Sequence, residues 1–239
     1  MKLALLLVQA FLCTSVCSAQ KIKQSFSEKT QAVPVKKNAG IPDNWLTNAT
    51  AQLDKQNYYF KNTGKEYAFL NTNQHLVFGA AADKLTIKPV ESQVSWNTAL
   101  ELVSIAGYKL AKQARLSSNE NYLKFITENY DVEYINDETG LRQNFIVKNK
   151  ATTNKLTVRM KVSGSLVPAV RNKNILQLQH QPTGKIYIQY DGLKVWDAHN
   201  KLLHASMELA QNNELVISVD DHNAVYPVTI EPLTHAAEW

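Results

Sequence analysis

The chain has 239 residues, 44% of them hydrophobic and 20% charged, with 8 glycines, 7 prolines and 2 cysteines. That length suits one large domain or two small ones. The apolar fraction is enough to fill a core, which excludes wholesale disorder, a collagen repeat and a disulfide-stapled miniprotein. The formal charge of +5 comes from scattered lysines, densest at Lys21, Lys23, Lys29, Lys36 and Lys37. A mild basic excess attracts an acidic glycan or an anionic surface at long range; the plainer reading is a solvated surface behind a basic leader. No basic recognition helix is present, which speaks against nucleic acid as a partner.

Met1–Gln20 carries one lysine, an apolar run and then small residues, with Cys17 and Ala19 placed for a cut between Ala19 and Gln20. This is the layout of a signal peptide, residues 1–19. The apolar run is shorter than the roughly 20 residues of a spanning helix and has no stop-transfer flank. The chain is therefore expected to be exported, either secreted or held at the cell surface, with no transmembrane span after cleavage. Neither cysteine has a leucine three positions before it, so a lipoprotein is the lesser alternative. Cys13 and Cys17 both lie inside the signal, and the mature chain, at +4, then has no disulfide, no thiol nucleophile and no thiolate ligand.

Residues 20–42 are rich in Lys, Gln and Ser, with Pro34 and Pro42, and read as a basic linker. A short helix is expected over residues 44–53, capped by Asp43, with Trp45, Leu46, Ala49 and Leu53 on one weakly apolar face. From there the dominant period is two. Leu156, Val158, Met160 and Val162 alternate with Thr157, Arg159 and Lys161, the mark of a half-buried strand. Leu215–Val219 and Ile186–Tyr190 repeat the pattern, and Leu85 and Ile87 form a shorter copy stopped by Pro89. Less regular strands are expected at Tyr58–Phe60, Tyr67–Leu70, Leu100–Ile105, Tyr122–Thr127, Val132–Ile135 and Phe145–Val147. Trp96–Leu116 suits either state. Reversals are expected at Asn62–Gly64, Asn136–Gly140, Pro182–Gly184, Asp191-Gly192, Asn212-Asn213 and Asp220–Asn223. Short strands at intervals of about 8 to 12 residues predict an all-β, antiparallel, sandwich-like fold over residues 43–232, as one domain or two packed subdomains.

Reactive constellations are scarce. His75, His180, His199, His204, His222 and His235 form no HExxH or other close ligand pair, and Ser163-Gly164-Ser165 reads as an inter-strand loop, not a nucleophile elbow. Gly184-Lys185 lacks the upstream glycine of a phosphate loop. A glycoside hydrolase needs two facing carboxylates about 5 to 9.5 Å apart. Glu133, Glu138, Asp191, Asp197 and Asp220 are available, most of them in turn contexts. Asp220–Asn223 and Asn136–Glu138 offer oxygen ligands for calcium without the spacing of an EF-hand. Asn48-Ala-Thr50 is a glycosylation sequon that matters only in a eukaryotic secretory route. Of the tryptophans, Trp196 follows Leu193 and Val195 in a strand and points to the opposite face, the best exposed-aromatic candidate. No catalytic, cofactor-binding or metal residue is assigned; the candidate ligand contacts are Trp196, Asp220 and Asp221.

Two segments are distinctive together. One is Val132-Glu-Tyr-Ile-Asn-Asp-Glu-Thr-Gly140-Leu-Arg-Gln-Asn-Phe145. The other runs from Tyr190-Asp-Gly-Leu-Lys-Val-Trp-Asp-Ala through Leu215-Val-Ile-Ser-Val-Asp-Asp to Ala224-Val-Tyr-Pro-Val-Thr-Ile-Glu-Pro232. In this order they resemble the N-terminal β-rich module of exported bacterial proteins that continue into FG-GAP (integrin-α-like) or SBBP-type repeats, with Glu231 where Asp is usual. Ala68–Gln74 and Trp96 fall in the expected order. The resemblance implies a non-enzymatic cell-surface scaffold or binding module without a cofactor. Its partners would be a surface glycan or protein and a downstream repeat domain, and residues 233–239 would open the linker to repeats, in a fragment or a shortened paralogue. The motifs themselves read as structural: Gly140 for a positive-φ turn, Pro227 for an edge or bulge, Pro232 for the end of the last strand. The alternative is a secreted carbohydrate-active protein, either a sugar-binding module or a two-carboxylate hydrolase.

Overall fold

A computed structural model describes residues 45–64, 66–91, 94–150 and 155–237. The signal, the basic linker, the Asp43 cap and Trp239 lie outside them. Chain order begins with helix α1 (Trp45–Gln56), β1 (Lys61–Asn62), β2 (Tyr67–Asn71), β3 (Leu76–Ala80), β4 (Lys84–Pro89) and β5 (Thr98–Ile105). It continues with β6 (Arg115–Asn119), β7 (Tyr122–Ile126), β8 (Tyr130–Asp137), β9 (Gly140–Val147) and β10 (Leu156–Gly164). The last strands are β11 (Val167–Arg171), β12 (Ile175–Gln179), β13 (Ile186–Trp196), β14 (Ala205–Ala210), β15 (Glu214–Val219) and β16 (Val228–Ala236).

They form two eight-stranded antiparallel sheets, ordered β1-β2-β3-β4-β5-β10-β15-β14 and β11-β12-β13-β16-β9-β8-β7-β6. The expected all-β sandwich is the observed fold. Alternation explains why the sheets face each other: Leu156, Val158, Met160 and Val162 of β10 are buried with Leu215, Ile217 and Val219 of β15. Across the interior lie Val132 and Tyr134 of β8, Phe145 and Val147 of β9, Ile188 and Tyr190 of β13, and Val228 and Ile230 of β16, all in one hydrophobic cluster. Each such side chain removed from water contributes roughly 2 kcal/mol. In the first sheet Phe69 and Phe78 stack at 5.2 Å beneath Phe60.

Polar groups inside the sandwich are tied in chains. Tyr190 donates to Gln143 Oε1 at 3.1 Å, Gln143 Nε2 donates to the Tyr134 hydroxyl at 3.1 Å, and Tyr134 donates to the Ala81 carbonyl of the opposite sheet at 3.3 Å. Burial holds both phenols well above their ordinary range, so they stay protonated and able to donate. Asn136, fully buried, is a second tie: its Nδ2 donates to the carbonyls of Tyr58 and Leu70, and its Oδ1 accepts from Asn71 Nδ2 at 2.8 Å.

Several local expectations change. Tyr58–Phe60 is no strand: the N–H groups of Asn57, Tyr58 and Tyr59 fold back on the last carbonyls of α1, and Phe60 N–H bonds Glu120. On α1, Leu53 is 63% exposed and Ala49 half-buried. Asp191-Gly192 is not a reversal. Gly192, at φ 59°, forms a bulge inside β13, where the register to β16 shifts between Asp191 and Lys194. Pro232 does not end the last strand, because it sits in β16 opposite that bulge, where the ladder is already interrupted and no donor is needed; residues 233–236 continue the strand. Pro227 stands outside the ladder, one residue before β16, after a cis peptide bond. Ser163 and Gly164 belong to β10 rather than to a loop. Gly140, at φ 138°, opens β9 as expected, and a Cβ there would lie 2.4 Å from the Thr234 carbonyl.

Candidate functional site

A well-defined concavity lies on the outer face of the first sheet and follows from register. Because Phe69, Phe78, Ile87 and Leu100 point inward, their neighbours point out. The outward row runs Ala68, Gly79, Thr86, Ala99, Ser163, each directly opposite the next on five adjacent strands. Five short side chains in one cross-strand row leave a trough about 19 Å long, at ~4.8 Å per strand, enclosing a cavity of about 440 Å³.

Longer side chains form the walls. One is Glu66 and Lys84, with Lys84 Nζ meeting Glu101 Oε1 at 2.8 Å; Glu101 and Lys161 continue that row by register, beyond the residues that line the cavity. The Glu101 hydrogen bond raises the Lys84 amine above the usual lysine range, against the effect of burial. The other wall is Val77, Lys88 and Asn97, with Asn97 fixed by Ser165: its N–H donates to Ser165 Oγ at 3.0 Å, and that hydroxyl donates back to its carbonyl at 3.1 Å. Gly79 leaves room for more than the row itself. A Cβ there would fall 2.7 Å from both carboxylate oxygens of Glu66, so Glu66 lies over the floor in the space a side chain would take. Lys88 and Lys161 are exposed, and neither is in an ion pair among the described residues. The lining is thus hydroxyl, amide, amine and carboxylate over a smooth floor, the chemistry of a surface that hydrogen-bonds a polar chain.

The residues singled out from sequence stand elsewhere. Trp196 is half-buried at the end of β13, opposite Thr229 of β16. Asp220 is exposed and accepts from His222 N–H at 3.2 Å; Asp221 is buried and accepts the Tyr226 hydroxyl at 2.7 Å. The loops carrying Trp196 and these two acids are joined through Asp197, but none of the three lines the trough. Asp197 accepts the N–H groups of His199, Lys201 and Val225 at 2.9, 3.0 and 3.1 Å. Burial opposes its charge, yet those donors hold the carboxyl below the usual carboxylate range.

Two of the other acids, Glu133 and Asp191, are also partnered. Glu133, on the outer face of the second sheet, accepts Tyr122 O–H at 2.7 Å and Asn144 Nδ2 at 2.9 Å. Asp191 faces His235 Nε2 at 3.2 Å. Glu138 lines a separate cavity of about 270 Å³ with Tyr58, Tyr59, Glu120 and Asp137, where burial and the neighbouring acids push both phenols up. Among the described residues no cluster of three or more His, Cys, Asp or Glu side chains is placed to hold a metal ion, and no helix is long and apolar enough to cross a membrane. Sequence reasoning missed the trough because Ala, Gly, Thr, Ala and Ser form no motif along the chain; only the register of five strands brings them together. No protein-family model, no curated protein and no solved structure matches the chain.

Proposed function

We propose that the sandwich is a non-catalytic binding module of an exported or cell-surface protein, and that the trough of the first sheet holds its ligand, an extended polar chain of the glycan class. The observation that carries this reading is the unbroken row from Ala68 to Ser163, walled by hydrogen-bonding and charged side chains. An extended chain lying across the strands would meet Thr86, Ser163 and Asn97 as neutral hydrogen-bond partners, with Lys88 and Lys161 beside it. Their charge favours acidic over neutral chains. The signal-peptide layout and the resemblance to exported bacterial repeat proteins supply the setting: a rigid module on an envelope protein, with a repeat domain as its covalent neighbour.

The test is titration against a panel of acidic and neutral polysaccharides by isothermal calorimetry, with Ala99→Phe as the blocking variant. Ala99 faces the open trough, so the ring fills it without entering the core. Binding is expected to an acidic member, to weaken as salt rises and to vanish in Ala99→Phe while the unfolding midpoint stays put. A flat response across the panel, or binding indifferent to Ala99→Phe, overturns the proposal.

A further inference from the structure

A sheet edge is a row of unpaired N–H and C=O groups, and a protein that stays monomeric must blunt it. The two sheets present four edge strands. β1 has two residues. β11 contains Pro168, which has no donor. β14 has its Met207 N–H taken by the Lys173 carbonyl at 2.6 Å. β6 has none of these protections. Among the described residues it pairs with β7 alone, all five of its residues are exposed, and Leu116, on the core side next to Phe125, is 39% exposed.

The hairpin geometry says which groups of β6 are open. A two-residue turn, Glu120-Asn121, closes it at the Asn119–Tyr122 pair. That closing pair is hydrogen-bonded, and bonded pairs alternate along an antiparallel ladder. Arg115, Ser117 and Asn119 therefore bond β7, while the N–H and C=O of Leu116 and Ser118 point away from the sheet. An antiparallel partner centred on Ser117 satisfies every one of them if its own residues 116 and 118 are also open, and a second copy of β6 meets that condition by two-fold symmetry. The charges agree with this register. Arg115 faces the uncharged Asn119 of the second copy. Glu120 at the hairpin tip falls opposite Ala114 of the second copy, between that copy's Lys112 and Arg115, and the same contact repeats on the other side of the axis. Lys112, Arg115 and Glu120 are all exposed.

We propose that β6 is a self-pairing edge, through which two copies join their second sheets antiparallel about Ser117. An interface of this size belongs to the transient class, below about 1,200 Å², so the association is concentration-dependent.

The test uses the full chain with Cys13 and Cys17 changed to Ser. Sedimentation equilibrium is expected to show a reversible dimer. Ser118→Pro, which removes an outward N–H at an edge where proline is tolerated, is expected to raise the dissociation constant roughly tenfold or more. The double variant Leu116→Lys, Ser118→Lys sets like charges opposite each other and is expected to do the same without altering β6–β7 pairing. Register is read by oxidative cross-linking: Ser117→Cys links to itself, whereas Arg115→Cys links to Asn119→Cys in a mixture and not to itself. A monomer at every concentration overturns the proposal. So does a dimer indifferent to both variants, a cross-link through position 115 alone, or slow amide exchange at Leu116 and Ser118 in the monomer, which would mean that this chain covers its own edge.

Discussion

Asn136 binds the Tyr58 and Leu70 carbonyls and the Asn71 amide from a position with no solvent exposure, so one side chain joins the exit of α1, the end of β2 and β8. Asn136→Ala takes the side-chain donor from two part-buried carbonyls and frees one hydrogen of Asn71. Each orphaned group costs about 1–3 kcal/mol, and urea denaturation is expected to show a total loss of about 4 kcal/mol. Asp197 is the residue through which pH acts. Its folded carboxyl lies below its unfolded value, so the unfolded chain binds the proton more readily and stability rises with pH. That contribution is complete above the unfolded carboxylate value, near pH 4, and is lost as pH falls through the folded value. Asp197→Asn turns one acceptor into a donor facing the Val225 N–H. It is expected to lower the melting temperature at pH 7 and to flatten its decline between pH 4 and pH 2, followed by circular dichroism at each pH.

At the level of elements, Gly140 shows why the first position of β9 tolerates no side chain. Gly140→Ala sets a methyl against the Thr234 carbonyl of β16 in a backbone conformation with φ near 138°, and a loss of ~3 kcal/mol is expected in chemical denaturation. β4, β10, β15 and the first half of β13 were legible in the sequence because in each an apolar face alternates with a polar one, and the β8–β9 hairpin was legible, less regularly, from its turn residues and short apolar runs. The unread strands lack that contrast for different physical reasons. β3 presents Leu76, Phe78 and Ala80 to the core but only Val77 and Gly79 to the trough, so its sequence looks uniformly apolar. β6 buries neither face and carries no hydrophobic signal. Tyr58–Phe60 has the aromatic content of a strand, but its backbone groups are used to finish α1. Asp191-Gly192 and Pro232 misled together, since each alone reads as a stop and only side by side do they make a bulge that lets both strands continue.

For the whole molecule the decisive feature is where β16 lies. Most neighbouring strands are consecutive in the chain, but Val228–Ala236 runs between β13 and β9, in the interior of the second sheet. A chain cut after Pro227 loses the ladder on one side of each of those strands along with Val228 and Ile230 of the core. It is expected to give no near-ultraviolet dichroism, and a synthetic peptide of residues 228–237 added in trans is expected to restore it. Pairings this distant in sequence also predict refolding in milliseconds to seconds, measurable by stopped-flow fluorescence. Vectorial synthesis sharpens the point. Until β16 leaves the ribosome, the second sheet consists of two half-sheets with a gap between them, and the sandwich cannot latch. For that interval β13 and β9 each carry a bare inner edge that only the last strand can close.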